Sequence, residues 1–203
     1  VYQQDMHVAS MLRHIDQSEM GKRTVVVYLS DHGEAFREHG QMGHTFSVFE
    51  EETHVPAWIA APPGILTPTQ AKNLAAKKDA YTFQVDITPT ILDLMGLLDE
   101  PSIAKYKEKW LGHSLLRPEL TTAALPMTNC AGVWSCAFEN WGYMKKNMKL
   151  EARAWDNGWH CYDVEADPEE SHALPLERCG DLKDLALAQF GRPLRERVLV
   201  VAL

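Results

Sequence analysis

The sequence predicts an α/β domain, a mixed sheet with flanking helices, followed by a small antiparallel sheet that carries one helix. Three observations lead there. An amphipathic helix runs into the β-branched stretch Thr24-Val25-Val26-Val27-Tyr28-Leu29, which is half of an α/β unit. A second strand and a capped helix follow it. From about Leu120 the texture changes to short segments rich in Trp, Tyr, Val and Met, separated by turns such as Asn157-Gly158, the pattern of an antiparallel sheet. The division expected is 1–119 for the α/β part and 120–203 for the α+β part.

In the first helix Val8, Leu12 and Ile15, with Met11 beside them, recur at helical spacing, and Gly21 is the expected C-cap. The 24–29 run is apolar on both faces, so it reads as an internal parallel strand covered by helices. A polar, glycine-rich stretch over 30–43 and a short 46–52 segment lead to Val55-Pro56-Ala57-Trp58-Ile59-Ala60, a strand with Pro at its start, where no ladder donor is needed. Pro62-Pro63-Gly64 ends it. Thr88-Pro89 reads as an N-cap and first helical residue, opening a helix that closes at Gly96. A last helical pattern, Leu182, Leu185, Ala186 and Phe190, is expected to pack across the small sheet before Gly191 and Pro193 interrupt it.

Composition bounds the function. The 203 residues are 45% apolar, ample for a packed core. With 28 acidic against 20 basic residues, a formal charge of −8 and no basic stripe, nucleic acid is not an expected partner. No apolar stretch approaches the ~20 residues of a membrane-spanning helix. The chain starts directly in helical sequence without an initiator Met, so it is expected to be cut from something longer. Cys130, Cys136, Cys161 and Cys179 form no CxxC pair, which argues against zinc-ribbon and thioredoxin sites; one or two disulfides and four buried thiols both fit.

Chemistry concentrates in Leu29-Ser30-Asp31-His32-Gly33-Glu34. A carboxylate and an imidazole stand side by side where a strand ends, and Gly33 lets the backbone turn so that both converge above the carboxyl end of the sheet. Oxygen plus nitrogen suits zinc or manganese, and carboxylate also suits calcium or magnesium.

These residues, with Gly43-His44, Glu50-Glu51-Glu52, Val55-Pro56, Asp86-Ile87-Thr88-Pro89-Thr90-Ile91-Leu92 and Cys161-Tyr162-Asp163-Val164-Glu165-Ala166-Asp167-Pro168-Glu169, resemble the C-terminal half of the sulfatase catalytic domain and its entry into a small C-terminal subdomain. The resemblance implies a partial alkaline phosphatase-like fold, a divalent ion (calcium, zinc, manganese or magnesium) with Asp31 and His32 as metal ligands, a sulfate or phosphate ester substrate, and a location outside the cytoplasm, whether periplasmic, secreted or membrane-anchored. His44 is the expected catalytic residue. It falls where many sulfatases have a sulfate-touching Lys and where phosphoethanolamine transferases have a His that can bind a second zinc.

The family's nucleophile motif, Cys-x-Pro-x-Arg or Ser-x-Pro-x-Arg, does not occur in the 203 residues. The resemblance assigns the nucleophile and further ligands to an N-terminal half, the expected missing partner, so this chain alone is expected to be inactive. Alternatives are part of a phosphoethanolamine or phosphoglycerol transferase, or a non-catalytic sensor module.

The remaining polar residues read more plainly. Glu34 orients His32 or caps the turn, His39 is a surface histidine, Arg37 is a solvated loop charge, and Glu50 to Glu52 form a solvated helix face rather than metal ligands. The Trp and Tyr residues after 130 are expected to fill the small sheet's core.

Overall fold

The computed structural model describes residues 2–129 and 139–190. The chain forms two compact units, Val1–Ser30 with Pro56–Thr121, and Asp31–Val55 with Thr122–Leu203.

In the first unit, helix α1 (Tyr2–Asp16) half-buries the predicted stripe of Val8, Leu12 and Ile15, while Met11 is exposed. Gly21 is not its C-cap. The helix ends at Asp16 and Gly21 opens a separate 3-10 turn, Gly21–Arg23. A Cβ at Gly21 would lie 2.3 Å from the Ile15 carbonyl oxygen, so close backbone approach selects the glycine. Strand β1 (Val26–Leu29) then enters the unit.

The expected parallel pairing of β1 is corrected: its ladder partner is antiparallel β4 (Ala57–Ala60), in register from Val26↔Ala60 to Leu29↔Ala57. The cross-strand pair Tyr28 and Trp58 stacks at 5.1 Å. All four β1 residues are only half-buried, and no strand pairs with the second edge of β1 among the described residues. An apolar run carries no information about strand direction, which explains the miss.

Helix α3 (Pro68–Ala75) begins with a capping box, Thr67 Oγ1 accepting from Gln70 N while the Gln70 side chain accepts from Thr67 N. Helix α4 (Ile87–Leu94) starts two residues before the expected position, after a 3-10 turn, Gln84–Asp86. The local Thr-Pro signal is overridden by Asp86, which is buried and accepts from Phe83 N and His113 N, both at 2.8 Å, and from Thr121 Oγ1. Gly96 does end the helix, with φ +71. Helix α5 (Pro101–Lys107) follows.

In the second unit, β2 (Ala35–Phe36) and β3 (Met42–Gly43) make a short hairpin, and α2 (Glu50–Thr53) follows it. Strands β5 (Leu125–Thr128), β6 (Asn140–Lys145), β7 (Met148–Arg153) and β8 (Gly158–Asp163) form an antiparallel meander in that order. Asn157, at φ +57, turns β7 into β8 as expected. Helix α6 (Leu182–Phe190) packs on one sheet face, burying Leu182 and Ala186 against Tyr143, Leu150 and the Cys161–Cys179 disulfide. Cys130, Cys136, Gly191 and Pro193 lie outside the described residues. Tyr143 and Tyr162 are core residues, whereas Trp155 is 40% exposed.

Strand β7 alternates apolar and charged residues, and the charged side is buried too. Lys149 Nζ lies 3.0 Å from Glu50 Oε1 on α2 and 3.0 Å from Glu170 Oε1. Arg153 pairs with Glu151 at 2.7 Å and its guanidinium lies 4.4 Å from the Phe49 ring centroid. These contacts overturn the solvated reading of 50–52. Glu50 joins this ionic layer, Glu51 bonds His39 at 2.8 Å, and Glu52 is 6% exposed.

Candidate metal centre

Two strips of the second unit carry the site, 31–34 and 43–45. Asp31 begins the first, two residues after β1. Its Oδ1 accepts from His32 N at 3.2 Å, and its Oδ2 lies 3.8 Å from His32 Nε2. Gly33 N–H donates to the Glu52 carbonyl at 2.8 Å. A Cβ at Gly33 would stand 2.0 Å from the Glu51 carbonyl oxygen, so the turn after His32 depends on close approach to α2.

The hairpin register brings the second strip to the first. Ala35 pairs with Gly43 and Phe36 with Met42, so Glu34 and His44 stand one step beyond the last rung. Their side chains meet there, Glu34 Oε2 to His44 Nδ1 at 2.9 Å. The His44 ring lies over that of His32, with centroids 4.1 Å apart and a 31° tilt. Ligand atoms of His32, Glu34 and His44 all fall within 4.8 Å of one another, on exposed side chains.

Sequence reasoning singled out Asp31, His32 and His44. Of these, His32 and His44 converge directly, joined by Glu34, while Asp31, 90% exposed at its side chain, flanks His32. Glu34 bonds His44, because hairpin register makes it a cross-strand neighbour. His32 is oriented by its own turn, with Nδ1 2.8 Å from the Gly33 carbonyl oxygen. A neutral ring donating Nδ1–H to that carbonyl carries its lone pair on Nε2, toward the Asp31 side. His39 stays outside the cluster, stacked on Phe49 at 3.7 Å, and Arg37 is exposed at the hairpin tip.

The donor set is two imidazoles and one carboxylate, with a second carboxylate adjacent. That chemistry fits a divalent ion of the zinc or manganese kind, since calcium and magnesium favour all-oxygen shells. His44 bonded to Glu34 is a carboxylate–histidine pair of the sort that raises ligand basicity and fixes the ring.

Residues 1–97 match the family model described as Sulfatase. Human arylsulfatase K is 26% identical over 171 residues, covering 82% of this chain and 30% of the relative. The Delta 4,5-hexuronate-2-O-sulfatase of Bacteroides thetaiotaomicron is 30% identical over 177 residues, covering 82% and 34%. Among solved structures, BT4656 in complex with its substrate D-glucosamine-2-N,6-O-disulfate superposes with a TM-score of 0.60 at 22% identity, covering 91% of this chain and 37% of that one. The chain thus spans about a third of the length of the relatives it matches.

Proposed function

We propose that this chain, whose residues 1–97 match the Sulfatase family model and whose fold is alkaline phosphatase-like, is the metal-binding C-terminal portion of a sulfuric ester hydrolase of the sulfatase family. One observation carries the reading: His32 and Glu34 on one side of a hairpin and His44, ten or more positions away on the other, present ligand atoms within 4.8 Å of one another. Such convergence of two imidazoles and a carboxylate offers the mixed nitrogen and oxygen donors that a divalent ion takes.

In this reading His32 and His44 supply nitrogen donors, Glu34 supplies oxygen or holds His44 in place, and Asp31 flanks the ion beside His32. When bound, the ion would neutralise charge on the non-bridging oxygens of a sulfate or phosphate ester. If Glu34 serves only to hold the ring and His44 does not ligate the ion, its exposed Nε2 is the group on this chain free to exchange a proton with an ester oxygen. The nucleophile comes from sequence outside these 203 residues, so the chain by itself has no ester turnover. The relatives named above are sulfatases, which supports a sulfate ester. The disulfide between Cys161 and Cys179 supports a compartment outside the cytoplasm, because thiols stay reduced within it.

A second reading, part of a phosphoethanolamine- or phosphoglycerol-type transferase, is favoured by the place of His44 inside the donor cluster. The two readings differ in the ion. Calorimetric titration of the chain with zinc, manganese, calcium and magnesium, repeated on His32→Ala and His44→Ala, tests both. Binding of any of these ions that is lost in both variants supports the centre, and tight preference for zinc favours the transferase. Absence of binding by all four ions overturns the metal assignment. Turnover of nitrophenyl sulfate by the chain alone overturns the outside nucleophile.

A further inference from the structure

We propose that Glu52 is a positioning residue for the candidate metal centre, its buried carboxylate holding Thr45 in a left-handed backbone conformation that aims His44 at His32 and Glu34. The inference deepens the metal-site reading and rests on it.

Glu52 sits on α2 and bonds both strips that carry the site. Its Oε2 accepts from Thr45 N–H at 2.7 Å, and its Oε1 accepts from Ser47 N–H at 2.9 Å and Ser47 Oγ at 2.5 Å. Its backbone carbonyl accepts from Gly33 N–H, between His32 and Glu34. One helical residue therefore sets the separation of the two strips.

Thr45 shows what the clamp works against. Its φ is +77, a conformation that sterics make unfavourable for any residue with a Cβ and most so for a β-branched one. Gly43, on the other side of His44, has φ +102 and escapes the clash by having no Cβ. Thr45 has no such relief, so neighbours must hold it, and both of its backbone groups are held. The N–H goes to Glu52, and the carbonyl accepts from Asn129 Nδ2 at 2.9 Å. Strain of this kind persists only where surrounding structure enforces it, and it concentrates at functional sites. Without Glu52, Thr45 relaxes toward negative φ. The chain direction at His44 then changes and its ring leaves that of His32.

Glu52→Gln isolates the effect. Three donors face the carboxylate, and the single Gln oxygen satisfies the two on Ser47, which turns the amide NH2 against Thr45 N–H. Thr45→Gly supplies the complementary change, since glycine takes the left-handed conformation without a clamp. The measurements are the nuclear Overhauser effect between the His32 and His44 ring protons in the metal-free chain, and manganese-induced broadening of the same signals during titration.

The expected result is that E52Q loses the ring–ring effect and binds manganese about tenfold more weakly. T45G keeps both. The double variant E52Q/T45G regains the ring–ring effect and an affinity within about threefold of the original chain. Rescue by a residue that adds no contact is something a merely stabilising role for Glu52 would not produce. An unchanged ring–ring effect in E52Q, or failure of T45G to restore it, overturns the proposal. If the original chain shows the ring–ring effect but no manganese broadening, the metal reading fails while the clamp is still judged on the first measurement. Should E52Q not fold, Asn129→Ala frees the carbonyl side of Thr45, and its rescue by T45G decides the matter in the same way.

Discussion

Replacing Glu170 by Gln is expected to remove a pH dependence of stability that runs opposite to ordinary acid unfolding. The ionic layer beneath the small sheet holds three carboxylates, Glu50, Glu151 and Glu170, against two cations, Lys149 and Arg153, with Tyr162 hydroxyl bonded to Arg153 at 2.8 Å. Burial, reinforced by the Glu151 charge and only partly offset by Lys149, pushes Glu170 up to about 8 from its ordinary 4.5. Burial also works against the charge on Lys149, but the carboxylates of Glu151, Glu170 and Glu50 prevail and raise its pKa. One carboxylic proton thus completes the charge balance of the layer.

The folded chain binds more protons than the unfolded chain between those two values. The contribution of Glu170 is therefore fully present below about pH 4.5 and is lost as pH rises toward about 8. At about 1.4 kcal/mol per unit, the loss over the three to four units of the window is roughly 3 to 5 kcal/mol. Glutamine keeps an oxygen for Glu50 N–H, which donates to Glu170 Oε2 at 2.6 Å, and it has no proton to lose. Urea unfolding followed by tryptophan fluorescence at about pH 5 and about pH 8 is the assay, and E170Q should lose less stability than the original chain by roughly that amount. Equal pH slopes for the two chains would refute the protonated carboxyl and the charge count behind it.

Four further outcomes are expected. Lys149→Met, which leaves the Glu50 carboxylate without its cation and takes the ammonium from Glu170 while Glu151 keeps Arg153, should destabilise the chain by roughly 3 to 5 kcal/mol at neutral pH by denaturant unfolding. Gly33→Ala places a Cβ 2.0 Å from the Glu51 carbonyl oxygen; it should cost about 1 to 3 kcal/mol and weaken ion binding measured by calorimetry, and unchanged binding would mean that the turn tolerates displacement. Arg117→Ala removes the partner that bonds Asp93 through Nε and Nη2, both at 2.9 Å, and also reaches Asp99; the guanidinium holds both carboxyls below the usual range, Asp99 at about 2. The melting temperature should fall in R117A at neutral pH, and the gap from the original chain should shrink in acid as these carboxylates protonate. Replacing Cys161 and Cys179 together by Ser opens a covalent loop with a sequence separation of 18 and should cost about 3 kcal/mol in oxidising buffer, with little effect when both chains are compared under reductant.

What the sequence by itself determined was whatever acts through near neighbours along the chain. The β-branched run marks β1, Gly96 ends α4 with the positive φ that Gly allows, Asn157-Gly158 turns β7 into β8, and the Leu182 to Phe190 pattern makes α6. The capping box at Thr67, Pro68 and Gln70 is equally local. In the site, the adjacency of Asp31 and His32 could be read directly. Only the tertiary structure decided which side chains meet. Hairpin register joins Glu34 to His44, α2 brings the Glu52 carboxylate to Thr45, and β7 buries Lys149 against Glu50 and Glu170. The same distinction explains why three consecutive glutamates read as a solvated face. A charged residue's sequence neighbours state its polarity, while the partner that allows it to be buried stands 99 or 120 positions away and is selected by packing.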